Sequence, residues 1–187
     1  MSVMKKDKLT GAAITISYEH HEVHDGSMYQ VSIGSTSIAN DGWLSLATPG
    51  PIGVQAHFTF EGGLDGNAVL ELFEDATYST TGTATSTTPT RNLHRGKSDL
   101  AVDMITNSSS ITGGTSLSRT VIPGGSKKDS GAGTGGSRQG LEWITRSTST
   151  YIVQLTNKAG SAKAGSLSVN FYTHNKNPKG VPAYWST

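Results

Sequence analysis

The stretch VQAHFTFEGGLDGNAVLELFED, Val54–Asp75, places two apolar-patterned runs on either side of a glycine-rich segment. Apolar residues recur at every second position of Val54–Phe60, which indicates a strand with one buried face. In the second run, Leu70 and Leu72 share one face of a further strand. Between the runs, Asp65-Gly66 can supply the positive φ that a tight reversal needs. The stretch therefore predicts a long β-hairpin at the centre of an antiparallel sheet.

The composition limits the classes of function. The chain has 187 residues and no cysteine, which excludes disulfides, thiolate zinc sites and cysteine nucleophiles. Lys and Arg total 15 against 14 Asp and Glu, so the net charge of +1 predicts no strong attraction to nucleic acid or to an anionic membrane. No apolar run approaches the roughly 18 residues of a membrane span. The opening MSVMKKDKLTGAA has no apolar stretch typical of a secretory signal.

Short alternating runs continue along the chain without a helical window between them. The predicted strands are Ala13–Glu19, Met28–Ile33, Trp43–Ala47, Leu100–Ile105, Leu117–Ile122, Leu141–Arg146, Thr150–Asn157 and Ser166–Thr173, in addition to the two central ones. Long polar loops separate some of them, and Pro123–Gly140 has the composition of a flexible loop. This pattern predicts an all-β fold, an antiparallel β-sandwich of jelly-roll type. We expect a flexible N-terminal arm (1–11), a single sandwich domain (12–175) and a C-terminal tail (176–187).

A group of imidazoles and carboxylates follows the first predicted strand: Glu19, His20, His21, Glu22, His24 and Asp25. Such side chains are ligands for zinc and similar ions. On a strand, His20, Glu22 and His24 would share one side, so a metal could bind there. The segment H-E-V-H differs from the H-E-x-x-H spacing of metalloproteases. A polar strand end with solvated imidazoles is the favoured interpretation, and no metal site is assigned.

Other candidate chemistry is weak. Gly131–Gly136 lacks the strand and helix that surround phosphate-binding loops, and the Gly-Lys-Ser triplet at 96–98 is preceded by Arg91 at the position where a P-loop needs glycine. No G-x-S-x-G elbow occurs. The carboxylate pairs Glu71/Glu74 and Glu19/Glu22 could serve a glycosidase only at the right spatial separation. We therefore expect no enzyme activity, no catalytic residue and no cofactor.

Two segments concentrate positive charge. The loop Thr90–Ser98 (TRNLHRGKS) contains Arg91, Asn92, His94, Arg95 and Lys97, and the N-terminal arm contains Lys5, Lys6 and Lys8. Because the apolar faces of a sandwich are used in its own packing, a partner must be bound by what projects from it. Arginine can form paired hydrogen bonds with carboxylates of such a partner. The contact residues predicted on this basis are Lys5, Lys6, Lys8, Arg91, Asn92, His94 and Arg95.

Five short motifs occur in a particular order: EVHDG (Glu22–Gly26), LELFED (Leu70–Asp75), TRNLHR (Thr90–Arg95), LEWI (Leu141–Ile144) and YIVQLTN (Tyr151–Asn157). The series resembles the head decoration or capsid-stabilising proteins of tailed bacteriophages over roughly residues 19 to 174. Where such proteins often carry a richer Asn/Arg repeat, this chain has Asn92 and Arg95, with Arg91 beside them. The resemblance implies a β-rich protein, commonly trimeric, on the outer face of the capsid, without catalysis or cofactor.

The resemblance and the residue pattern together lead to one functional expectation. The chain is expected to bind the major capsid protein, to decorate or cement the shell, and to form a homotrimer. Its expected location is the virion surface, and the host cytoplasm during assembly. The alternative is a carbohydrate-binding β-sandwich that uses exposed aromatics such as Tyr184 and Trp185 to bind surface glycans. Trp43 and Trp143 lie at strand positions, where packing is the commoner use of the side chain.

Overall fold

The computed structural model describes residues 18–48, 55–79, 86–100, 104–106, 111–124, 133–136 and 142–173. These ranges contain one helix, α1 (Tyr18–Asp25), and otherwise strands. The strands are β1 (Met28–Ile38), β2 (Trp43–Ala47), β3 (Ala56–Leu64), β4 (Ala68–Glu74), β5 (Thr77–Tyr78), β6 (Ser86–Thr88), β7 (Arg91–Asn92), β8 (Met104–Thr106), β9 (Ile111–Thr112), β10 (Thr115–Ile122), β11 (Gly133–Gly136), β12 (Trp143–Ile144), β13 (Tyr151–Asn157) and β14 (Lys163–Thr173). The prediction of an all-β, antiparallel fold is confirmed.

Two six-stranded antiparallel sheets form the body of the protein. The front sheet has the order β11-β3-β14-β1-β7, with β12 also paired to β3. The rear sheet has the order β10-β4-β13-β2-β8-β6. In the front sheet the longest strands, β14, β1 and β3, lie centrally, so their backbone groups are paired on both sides.

The core lies between the two sheets and takes apolar side chains from both. On β14, Leu167, Val169 and Phe171 point inward and are buried, as their alternation predicts. From the rear sheet, β4 and β13 contribute buried leucines and valine to the same cluster. Full burial stabilises each such side chain by about 1.5–3 kcal/mol. Gly62 permits a close approach, since a Cβ there would lie 3.1 Å from Leu70 Cδ1.

A second, smaller apolar cluster lies on the opposite face of the rear sheet. Ala47, Ala76 and Ile152 form it, with Phe73 and Ile111 packed against them. The two-stranded ribbon β5–β9 contributes to this cover. Successive side chains of β4 point to opposite faces of the rear sheet, which accounts for both clusters. Leu70 and Leu72 enter the main core, while Phe73 enters the smaller cluster.

The predicted central hairpin is wrong. Strands β3 and β4 do follow one another through a reversal at residues 65–67, but β3 belongs to the front sheet and β4 to the rear sheet. Each strand buries its apolar face against the other sheet and pairs with a strand distant in sequence, β3 with β14 and β4 with β13. Gly62 and Gly63, which belong to the glycine-rich segment predicted to form the turn, lie inside β3 and pair with β14.

Two further predictions need correction. The strand expected over Ala13–Glu19 lies mostly outside the described residues, and its last two residues belong to α1. The Gly-rich loop Pro123–Gly140 contains strand β11, which pairs with residues 61–64 of β3. Backbone hydrogen bonds form there despite the low strand propensity of glycine, since they need no side chain. In the described ranges no helix is long and apolar enough to cross a membrane.

Candidate functional site

The predicted basic loop, here called the arginine loop (residues 91–99), is an ordered structure at the edge of the front sheet. Its first two residues form β7 and pair with Tyr29 and Gln30 of β1. The chain returns beside its start, where the Leu100 N–H donates to the Thr90 carbonyl at 3.1 Å. Closure at both ends restricts the loop, so its side chains are presented from a defined backbone.

Asn92 holds the arginine loop from within. Its side chain is buried, and its Nδ2 donates to the carbonyls of Gly26 (2.8 Å) and Ser98 (3.1 Å). Its Oδ1 accepts a hydrogen bond from the His94 N–H at 2.8 Å. These bonds connect the loop to the end of α1. Asn92 was predicted to contact a partner, whereas here its amide is used to organise its own loop.

Asp99 brings the two arginines together. Its Oδ2 accepts from Arg91 Nη1 at 2.6 Å, and its Oδ1 accepts from Arg95 Nη1 and from the Asn92 N–H, both at 2.9 Å. The hydrogen bond from Arg91, followed by those from the Asn92 backbone and Arg95, holds the pKa of the Asp99 carboxyl well below its usual range. The carboxylate therefore stays charged at neutral pH and orients both guanidinium groups.

Both guanidinium groups remain open to a partner. The Arg91 and Arg95 side chains are 59% and 68% exposed, although each donates to Asp99. Two positive charges share one negative charge, so the cluster keeps a net charge of +1, and the exposed Lys97 adds to it. Each guanidinium has five N–H donors, and those not used on Asp99 can bind carboxylate oxygens.

The other predicted contact residues lie as follows. His94 is partly exposed, and its Nδ1 accepts from the Gly96 N–H at 3.1 Å. Lys5, Lys6 and Lys8 lie outside the described residues. Asp99 was not singled out from the sequence, because in a loop no spacing rule links it to Arg91 and Arg95.

A second polar cluster lies on the outer face of the front sheet. His57 and Tyr172 pair across β3 and β14, and their rings stack with centroids 4.6 Å apart. The Tyr172 hydroxyl lies 2.9 and 3.1 Å from the two carboxylate oxygens of Glu142, which also contacts His57 Nδ1. Glu142 directly precedes β12, so the cluster clamps that strand onto β3. Sequence reasoning missed it because Glu142 is distant in sequence from both partners.

Glu71 and Glu74, one of the carboxylate pairs considered for glycosidase chemistry, lie on opposite faces of β4. Glu71 faces outward on β4 and accepts from Arg119 Nη1 at 2.9 Å. Glu74 is buried on the opposite face, where it accepts from the Tyr151 hydroxyl at 2.5 Å. In the earlier pair, Glu22 is buried and its carboxylate accepts from Ser27 Oγ. These carboxylates are engaged within the fold.

The histidine-rich segment is helical, so the predicted strand arrangement of His20, Glu22 and His24 is wrong. His20 and His24 lie one turn apart on an exposed face of α1, with their Nε2 atoms 2.9 Å apart. Glu22 is directed into the protein instead. Throughout the described ranges, no group of three or more His, Asp or Glu side chains is arranged to hold a metal ion.

Comparisons with known proteins found no match for the chain. No protein-family model matches it, and no curated protein and no solved structure is significantly similar. The arginine loop is therefore the feature of this chain from which a function is best inferred.

Proposed function

We propose that this chain is a structural protein of a bacteriophage head that binds the outside of the capsid and decorates or cements it. The observation that carries the proposal is the arginine loop, in which the Asp99 carboxylate accepts hydrogen bonds from two exposed guanidinium groups and so fixes the position of each. The order of the sequence motifs, which resembles that of phage head decoration proteins, supplies the class of partner. The partner is the major capsid protein, through carboxylates on its outer surface.

We also infer that the sandwich is of jelly-roll type, and the strand order supports this. Of the longer strands, β1, β14, β3 and β11 are neighbours in the front sheet, and β2, β13, β4 and β10 in the rear sheet. Apart from the step from β4 to β10, which stays in the rear sheet, successive members of this set change sheets. The first and last strands pair side by side, as do the second and the next-to-last. Jelly rolls with eight strands are common in viral capsid proteins and in lectins.

Preorganisation is what makes the arginine loop suitable for binding. Ordering a free arginine side chain on binding costs roughly 0.5–1.5 kcal/mol of free energy, because the side chain loses conformational entropy. Because Asp99 already orients Arg91 and Arg95, less of this entropy remains to be lost when a partner binds. Contacts at an exposed rim are still weak, about 0–1 kcal/mol each. Repetition over several copies of the protein, as in the homotrimer that we propose, raises the overall affinity.

A capsid co-sedimentation assay tests the proposal. The variant Arg91→Ala/Arg95→Ala is expected to bind much less than the parent chain. The matched control is Arg119→Ala/Arg146→Ala, which removes two other exposed arginines, paired with Glu71 and Glu74. A third variant without residues 1–9 tests the N-terminal lysines. Equal loss in both arginine variants would indicate a general charge effect, and full binding by the first variant and by the deletion would contradict the proposed contacts.

Sugar binding is the second candidate, and the outer face of the front sheet favours it. The side chains of Thr59, Asn170 and Gln30 lie side by side across β3, β14 and β1, and this row leads to Arg91 on β7. Amides and hydroxyls in such a row can bind sugar hydroxyls. A glycan array with the parent chain and with Gln30→Ala/Asn170→Ala separates the two functions. Selective sugar binding that this variant loses, without association to capsids, would replace the capsid proposal.

A further inference from the structure

Helix α1 presents two imidazoles at chelating distance. His20 and His24 are four residues apart, a spacing at which side chains lie over one another on a helix. Their Nε2 atoms are 2.9 Å apart, their ring centroids 4.6 Å apart, and both residues are exposed. With both rings neutral, one Nε2–H can donate to the other Nε2. A metal ion could replace this hydrogen bond and be bound by both Nε2 atoms once the two exposed rings turn toward it.

The distance between the two nitrogens fits a metal ion whose neighbouring ligands lie at right angles. Imidazole nitrogens bind divalent transition metals at about 2.0–2.1 Å. At that bond length, two nitrogens 2.9 Å apart subtend an angle of about 90° at the metal. This is the angle between neighbouring ligands in square-planar and octahedral complexes, whereas tetrahedral zinc would need the nitrogens about 3.3 Å apart. Cu²⁺ and Ni²⁺ prefer the tetragonal geometries.

We propose that His20 and His24 form a two-histidine site for a divalent transition metal of the Cu²⁺ or Ni²⁺ type, with water completing the coordination. The donor of the His–His hydrogen bond moves its proton from Nε2 to Nδ1 when the metal binds, so both rings remain neutral and both Nε2 lone pairs are donated. Glu22 is not a ligand, because its carboxylate is buried and bound by Ser27 Oγ.

The end of α1 is anchored, which keeps the two histidines in place. The Gly26 N–H donates to the Val23 carbonyl and the Ser27 N–H to the Glu22 carbonyl, both at 3.0 Å. The Gly26 carbonyl in turn accepts from Asn92 Nδ2 at 2.8 Å. A helix fixed in this way presents its ligands with little further ordering, which favours binding. This bond joins the end of the helix to the arginine loop, although the two proposed ligands are separate from that loop.

Isothermal titration of the full chain, without an affinity tag, with CuCl₂, NiCl₂ and ZnCl₂ tests the proposal. We expect one site per chain, tightest for Cu²⁺, and weaker for Zn²⁺ than for Ni²⁺. The variants His20→Gln and His24→Gln should each weaken Cu²⁺ and Ni²⁺ binding by about tenfold or more, because one ligand of a chelating pair is lost. His21→Gln is the matched control, since this residue is exposed on the same helix but is not a proposed ligand.

Circular dichroism and thermal unfolding in the absence of metal establish whether the variants fold like the parent. A metal-induced rise in the unfolding temperature of the parent, absent from His20→Gln/His24→Gln, would show that the ion binds the folded chain. The proposal is overturned by failure to saturate, by unchanged binding in the double variant, or by an equal loss in His21→Gln. Tighter binding of Zn²⁺ than of Ni²⁺ would overturn the assigned geometry and metal type.

Discussion

At the residue scale, Asn157 shows how one buried amide can organise several loops. Its side chain is fully buried, and Nδ2 lies within hydrogen-bond distance of the carbonyls of Ile38, Ala39 and Ser161. Its Oδ1 accepts from the Ala159 N–H at 2.8 Å. We predict that Asn157→Ala lowers the free energy of unfolding by about 2–4 kcal/mol, because it leaves these buried backbone groups without partners. Urea denaturation measures the change.

Asn170→Ala is the control for that measurement. Asn170 lies on the outer face of β14, and its side chain makes no hydrogen bond within the part of the chain that the structure describes. Its replacement should change the free energy of unfolding by less than about 0.5 kcal/mol. Similar losses in the two variants would show that the buried hydrogen bonds of Asn157 are not what stabilises these loops.

Because of Tyr151, the stability of the folded protein depends on pH in the alkaline range. Burial, and then the hydrogen bond to Glu74, raise the pKa of the Tyr151 phenol from 10.0 to about 12. Between these values the folded chain retains a proton that the unfolded chain has lost, so stability falls as the pH rises through this window. We predict a steeper fall between about pH 10 and about pH 12 for the parent chain than for Tyr151→Phe. Urea unfolding across this range, with tyrosinate absorbance of the folded chain, tests it.

The sequence predicts some residues of the arginine loop, but not the contacts of the cluster formed by Glu142, His57 and Tyr172. The clustering of Arg91 and Arg95 is visible in the sequence because the charges are close along the chain. Asp99 lies just beyond that cluster, and its effect depends on the loop closing on itself. The contact of Glu142 with His57 and Tyr172 depends on strand pairing between distant segments. No local pattern encodes such pairing, so the sequence could not predict it.

At the scale of elements, the sequence predicts the strands better than their partners. Period-two patterning locates β2 at Trp43–Ala47 and the inward face of β14 as observed. A compact turn between two strands is equally compatible with a hairpin and with a crossing between sheets. The crossing is observed because β3 pairs with β14 in one sheet and β4 pairs with β13 in the other. Helix α1 was missed because its eight residues are mostly polar and too few to show a clear apolar period.

Strand β11 consists largely of glycine because the space beside it is small. A Cβ on Gly136 would contact the Phe60 carbonyl oxygen of β3, and one on Gly135 would lie 2.9 Å from Ile122 Cγ1. We predict that Gly136→Ala displaces β11 from β3 and lowers the free energy of unfolding by about 1–3 kcal/mol. Hydrogen exchange should then increase at the backbone amides that join Glu61–Leu64 to β11.

The matched control for this element is Gly34→Ala. Gly34 also lies in a strand of the front sheet, but a Cβ there would meet its nearest neighbour, the Gly165 carbonyl oxygen, at an ordinary 3.5 Å. Alanine should therefore be tolerated, with a change within about 1 kcal/mol. If Gly136→Ala is tolerated equally well, steric exclusion does not explain the glycines of β11.

At the scale of the whole molecule, the residues that stabilise the fold are different from those proposed to bind a partner. The core uses the inward faces of both sheets, and the ribbon β5–β9 helps to cover one outer face. The arginine loop and the exposed face of α1 lie outside this packing and are joined through Asn92 and Gly26. Substitutions of exposed arginines should therefore affect binding more than stability.

Our last prediction is that the chain assembles as a homotrimer. Each arginine loop offers exposed charge–charge contacts of about 0–1 kcal/mol, too weak for one loop to hold a protein on a shell. Three loops on one symmetric assembly can bind together, which raises the affinity without any new type of contact. Light scattering at micromolar concentration should give the mass of three chains of 19.6 kDa each. A mass of one chain would contradict this mechanism, and a mass of two chains would retain multivalent binding but exclude the trimer.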